Sequence, residues 1–261
     1  MPLRALRRDR AARLGPELFL YERAFDDCLQ RVGMVKRRFE RALLVGCPDP
    51  GWRARVGEFT QSVEVADPGP VFAEHSAGRC IVEDAATWPQ AAFDLCIATG
   101  TLDTVNDLPA ALRLIRAALR PDSLLLGSVA GGDSLRQLRT AMHAADQCTG
   151  AASPHVHPRI EPASLGALLS SCGFVMPVVD VDRVEVSYRS LQGLVGDLRQ
   201  MGSTNLLSAR AREPLSRFAY AAAAAAFASA GDGQRTVERF DILHFAAWSP
   251  PEAQVRQHPL T

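Results

Sequence analysis

Short apolar runs alternate with helix-like stretches from about residue 41 to residue 145, and that alternation leaves few architectures open. The runs are Arg41–Gly46, Ser62–Ala66, Cys80–Val82, Ala92–Ala98 and Ser123–Val129. They are too short for helices and too apolar to face water, so they read as buried strands. Between them Trp52–Phe59 and Pro70–Ser76 read as helices. Asn106 or Asp107 caps another that runs through Leu119, with Leu108, Leu112, Ile115 and Leu119 on one face, and Arg120-Pro121-Asp122 stops it. Gly131-Gly132-Asp133 caps a further helix to about Ala145. Five such units predict a parallel sheet with helices on both faces.

The flanks extend this plan. From Pro16 to Arg38 the apolar residues Leu18, Phe19, Tyr21, Phe25, Cys28, Leu29, Val32 and Val35 recur every three or four positions, the stripe of a packed leading helix. After the Ser153–Pro158 loop come a helix at Pro162–Cys172, an extended run at Phe174–Val186, and helices at Ser190–Met201 and Arg212–Ala230. Beyond the Gly231-Asp232-Gly233 turn, Arg239–Trp248 alternates like a strand and pairs antiparallel with the Val175–Val186 run. The chain therefore divides into an N-terminal helical extension (1–40), an α/β domain (41–250) with a helical insertion at about 189–230, and a loose tail (251–261).

Composition narrows the functional classes. At 261 residues, 47% hydrophobic and 22% charged, the chain suits one packed domain with a small appendage. Lys plus Arg and Asp plus Glu both number 29, so no net field draws nucleic acid or an anionic membrane. No apolar run approaches the roughly 20 residues of a membrane span. The six cysteines show no C-x-x-C pair and read as reduced, mostly buried thiols. Arg4, Arg7, Arg8, Arg10 and Arg13 open the chain with few acids, as a mitochondrial transit peptide does. The segment lacks serine and runs on into more helix, which favours a solvated helix face.

Ligands of an open α/β sheet bind beyond the carboxyl ends of its strands, where strand order reverses. Gly46 lets the backbone approach a ligand after the first strand, although Pro48 and Pro50 remove two amide donors there. Asp67 ends the second strand and reads either as an acid for two ribose hydroxyls or as a turn residue for Pro68-Gly69-Pro70. Glu83 and Asp84 after the third strand read as the border of an adenine or as solvated charges. His155 and His157 lie two apart on a Pro-flanked loop without a Cys or Asp partner, so no metal site is assigned. No G-x-S-x-G elbow supports a serine hydrolase.

Five further stretches carry a resemblance: Phe93-Asp-Leu95, Leu102-Asp-Thr-Val-Asn-Asp-Leu-Pro109, Leu119-Arg-Pro-Asp122, Gly131-Gly-Asp-Ser-Leu135 and Asp197-Leu-Arg-Gln-Met-Gly-Ser-Thr-Asn205. Over nearly the whole chain the sequence resembles the class I S-adenosylmethionine (SAM) dependent methyltransferases. Within them it is similar to the biotin-pathway malonyl carrier-protein O-methyltransferase, and closer to the methyltransferase-fold assembly factor of mitochondrial respiratory complex I and its bacterial relatives. The resemblance implies a Rossmann-like fold with a mostly parallel seven-stranded sheet and an antiparallel C-terminal hairpin. It implies SAM held by Gly46, Cys47 and Gly51 in the cofactor loop, by Asp67 at the ribose, and by Glu83 and Asp84 beside the adenine. Ala98 falls near the transferred methyl.

The implied reaction is methyl transfer to an oxygen or nitrogen of a small molecule, protein or carrier protein, with no general base assigned. The same resemblance leaves open a degenerate assembly factor for complex I and a protein-arginine hydroxylase, with a respiratory-complex subunit as partner. It implies a cytoplasmic bacterial protein, or the mitochondrial matrix in a eukaryote. The sequence departs from the pattern at Leu44, where relatives carry an acid, at Pro48, where they carry glycine, and at Asp103-Thr104, where they carry His-Trp. A lost contact to a charged ligand group costs about 1.5–3 kcal/mol, about tenfold or more in affinity.

Overall fold

The computed structural model describes residues 3–252. Seven strands form one sheet: β1 (Phe39–Val45), β2 (Thr60–Asp67), β3 (Arg79–Cys80), β4 (Phe93–Thr99), β5 (Leu119–Gly131), β6 (Val175–Tyr188) and β7 (Thr236–Trp248). Their order is β3-β2-β1-β4-β5-β7-β6. β1 to β5 pair in parallel, and β7 runs antiparallel between β5 and β6. The order reverses between β1 and β4, which opens a crevice at their carboxyl ends.

Helices α1 (Leu3–Leu14), α2 (Phe19–Met34), α3 (Gly51–Gly57), α4 (Pro70–His75), α5 (Leu108–Ala118), α6 (Arg136–Thr149), α7 (Pro162–Ser171), α8 (Leu191–Gln200) and α9 (Arg217–Ser229) surround it. Successive side chains of a strand point to opposite faces, so neighbouring residues of β1 enter different cores. Leu43 and Val45 pack with Leu112 and Ile115 of α5 and Leu169 of α7. Leu44 packs on the other side with Phe25 and Val32 of α2 and with Trp52 and Val56 of α3. The Phe25 and Trp52 rings stack there at 4.1 Å. A third cluster joins α2, α6, α8 and α9 to Phe240 and Ile242 of β7.

Several boundaries differ from the sequence reading. The N-terminal arginines do not continue into the leading helix: residues 15–18 break it, with Gly15 at φ +87°. β3 is two residues long. Arg120-Pro121-Asp122 does not precede β5 but lies inside it, because Asp122 adopts φ +56° where the register to β4 shifts. Gly131-Gly132-Asp133 does not cap α6, which starts at Arg136 after a left-handed Leu135. α9 begins five residues later than expected, where the Ser216 hydroxyl accepts the Ala219 N–H. Asp107 caps α5 as read, accepting the Ala110 N–H at 2.8 Å.

Cys28, Cys47, Cys96 and Cys172 are buried and Cys80 and Cys148 exposed, all unpaired. No helix among the described residues is long and apolar enough to cross a membrane. Of the tail expected at 251–261, residues 253–261 lie outside the described residues.

Candidate active site

Gly46 follows β1 at φ +86°, and its N–H donates to Ala66 O at 2.8 Å. A Cβ here would lie 2.2 Å from the Thr99 carbonyl oxygen. Glycine is thus demanded both by the left-handed backbone and by the close approach of the chain leaving β4. That turn aims the Cys47 N–H at Asp67, 2.9 Å from Oδ2. Burial pushes the Cys47 thiol up to about 12, which disfavours its thiolate form.

Asp67 is fully buried at the end of β2. Oδ2 accepts the Cys47 N–H, and Oδ1 accepts the Gly69 N–H at 2.7 Å. The remaining capacity goes to Arg8 of α1. Its Nε donates to Oδ1 at 2.8 Å and its Nη2 to Oδ2 at 2.6 Å. Nη1 donates to Gly100 O at 3.1 Å, and the guanidinium lies 5.1 Å over the Phe72 ring. Burial opposes the charge on Arg8, but the attraction and hydrogen bonds of Asp67 outweigh it, and the guanidinium is held protonated. Arg4 repeats the pattern one turn earlier: Nη1 and Nη2 donate to Glu83 at 2.5 and 2.7 Å, Nη2 also to Thr101 O, and Nε to Thr104 Oγ1 at 3.0 Å. Glu83 is 1% exposed. The reading of α1 as a solvated face therefore fails for Arg4 and Arg8, each of which has a buried carboxylate to neutralise, and for Arg7, whose Nε is buried.

Gly46, Cys47 and Asp67 meet at the crevice, and Ala98 lies beside Val45 at the end of β4. Glu83 joins them through Arg4. Asp84 is spent elsewhere, accepting the Asp107 N–H that leads into α5. Gly51 opens α3 and donates its N–H to Asp49, an exposed position. Leu44 is packed in the core and does not enter the crevice. The donor set suits a nucleoside in kind. With Arg8 seated, however, Asp67 has no lone pair left for a ribose diol.

Beside the crevice, across Gly100, a narrow and mostly apolar pocket is lined by Tyr21, Asp103, Ser128, Arg159 and Asp241 among others. Gly100 stands at φ +69°, where a Cβ would meet the Tyr21 ring at 2.8 Å. The Tyr21 hydroxyl donates to Met201 O at 3.0 Å and lies 2.7 Å from Ser203 Oγ; burial raises its pKa. Arg159 is nearly buried, its Nη1 3.5 Å from Asp103 Oδ2 and its Nε without a partner among the described residues. Burial lowers its pKa despite Asp103. His155 and His157 stay outside this chemistry. Against the expectation from sequence, His155 has an acid partner, Asp146 at 2.8 Å; His157 accepts the Leu206 N–H at 2.9 Å. Sequence reading missed Arg4, Arg8, Tyr21, Gly100 and Arg159. The only signal for the first two was the arginine run itself.

Comparisons with known proteins agree with this fold. A methyltransferase-domain family model matches residues 20–177. The chain is similar to the zebrafish (Danio rerio) protein named "Arginine-hydroxylase NDUFAF5, mitochondrial", 30% identical over 91% of this chain and 77% of that one. It is also similar to the malonyl-[acyl-carrier protein] O-methyltransferase of Xylella fastidiosa, 34% identical over 65% of this chain and 57% of that one. Among solved structures it shares its fold with the YcgJ protein of Bacillus subtilis, with a TM-score of 0.58 at 12% identity over 86% of this chain and 99% of that one.

Proposed function

This chain belongs to the class I SAM-dependent methyltransferase superfamily, and on that premise we propose that it transfers a methyl group from SAM to an oxygen or nitrogen acceptor seated in the pocket across Gly100. The observation that carries the proposal is the convergence of Gly46, Cys47 and Asp67 at the reversal of strand order, with Ala98 at the end of the adjacent strand. Asp67 is the acid for the ribose hydroxyls, and Glu83 the acid at the adenine edge. SAM supplies an electrophilic methyl when bound. The chain contributes position and exclusion of water, which are the main sources of rate in a reaction of this kind. Tyr21 and Ser128 line the acceptor side, and Arg159 offers an unspent donor to an acceptor group. Acceptors in this reading are a small molecule, a carrier protein or a protein side chain, in the cytoplasm of a bacterium or the matrix of a mitochondrion.

Calorimetric titration with SAM, followed by transfer of labelled methyl to candidate acceptors, tests the reading. Saturable binding is expected; no heat at millimolar SAM contradicts it.

A second reading has its own support in the seat that Arg8 takes on Asp67. In it the chain keeps the fold as an assembly protein and captures a partner without turning SAM over. Any useful rate of methylation by the purified protein removes this alternative.

A further inference from the structure

α1 follows the course expected of the nucleoside. Arg8 sits on the ribose acid Asp67, and Arg4 sits on Glu83 at the adenine edge. What holds the helix there is charge more than apolar burial. Its buried residues are Ala5, Arg8, Asp9 and Ala11, while Leu6 and Leu14 are 50% and 53% exposed. Besides the two arginines, Asp9 accepts the Val71 N–H at 3.0 Å, at the start of α4. The helix joins the rest of the chain through residues 15–18, which are not helical, and a Cβ on Gly15 would meet nothing within 4 Å. A helix that buries two alanines and a few polar groups, with few apolar contacts, belongs to the low-stability end of a fold.

We propose that α1 is an internal competitor of the cofactor: Arg8 and the ribose diol contend for Asp67, and SAM binds only when α1 has left the crevice. The inference rests on the SAM reading given above. Each Asp67 oxygen already takes one backbone N–H and one Arg8 N–H, so the two occupants exclude each other rather than share. The apparent affinity for SAM is then reduced by the fraction of molecules with α1 docked, and anything that draws α1 away raises it.

The test uses the full chain. SAM is titrated into the wild type, Arg8→Gln and, as a control on an exposed arginine, Arg10→Gln; trypsin cleavage within residues 4–13 is timed with and without SAM. Competition predicts that Arg8→Gln binds SAM at least about tenfold more tightly than the other two, and that SAM speeds cleavage of α1 in the wild type. Equal affinity in all three, with α1 equally protected at saturating SAM, overturns the proposal and leaves the SAM reading standing. Binding by none of them overturns the SAM reading and the competition together. Should Arg8→Gln fail to fold, the wild-type cleavage rate decides alone: faster with SAM supports competition, unchanged contradicts it.

Discussion

Arg8 and Arg159 are both buried against an aspartate, one on each side of Gly100, and the fold treats them in opposite ways. Arg8 uses all three nitrogens, two on Asp67 and one on Gly100 O. Among the described residues Arg159 has one long contact, to Asp103, and an Nε with no partner. A buried guanidinium is costly unless its donors are satisfied. The crevice over β1 and β2 is therefore closed by a completed pair, while the pocket over β5 and β7 keeps a cation with capacity to spare. The first arrangement supports a gate and the second a binding determinant.

The largest test of this contrast is Asp67→Ala. It strands Arg8 and the Cys47 and Gly69 amides together, and a loss of about 3–5 kcal/mol is expected in urea unfolding. A loss below about 1 kcal/mol would mean that the pair on the closed side matters no more than a surface contact. Gly100→Ala comes next, since the wall shared by both regions has a left-handed backbone and no room before Tyr21. A cost of about 1–3 kcal/mol is expected in urea unfolding. Arg159→Met should cost about 1 kcal/mol or less, because its single long contact returns little of the desolvation it incurs; a cost equal to that of Asp67→Ala would erase the difference between the regions.

The smallest effect concerns pH. His157 is held below its ordinary pKa of 6.5, first by burial and then by the Arg159 charge, with Asp103 opposing. Its neutral ring accepts the Leu206 N–H. A group depressed in the folded state contributes stability that is complete above pH 6.5 and lost as pH falls through the folded value. In Arg159→Met the His157 ring should titrate at higher pH in an NMR titration, and this part of the acid-side loss should shrink. An unmoved resonance would place Arg159 outside its electrostatic reach.

The sheet was legible because buried strands and amphipathic helices differ in period, and the antiparallel pairing of β6 with β7 followed from alternation alone. Gly46 and Asp67 were legible because the topology fixes where strand ends meet, and Cys47 only through the family resemblance. Arg8 was not. A run of arginines has the composition of a solvated face, and what buries Arg8 is a carboxylate 59 residues away. The break at residues 15–18 was overlooked although Gly15-Pro16 is a breaker pair, since the apolar stripe from Leu18 onward dominated the reading. Arg159 carried no local signal. The departures from the methyltransferase pattern at Asp103 and Thr104 gain a structural sense only in three dimensions, where each receives an arginine, Arg159 and Arg4.

Backbone hydrogen exchange of the full chain with and without SAM reaches the central claim most directly. Faster exchange across residues 5–14 together with slower exchange at Gly46, Cys47 and Gly69 is the result expected if the cofactor takes the seat of Arg8. SAM that protects those three amides while leaving α1 exchange unchanged would contradict it.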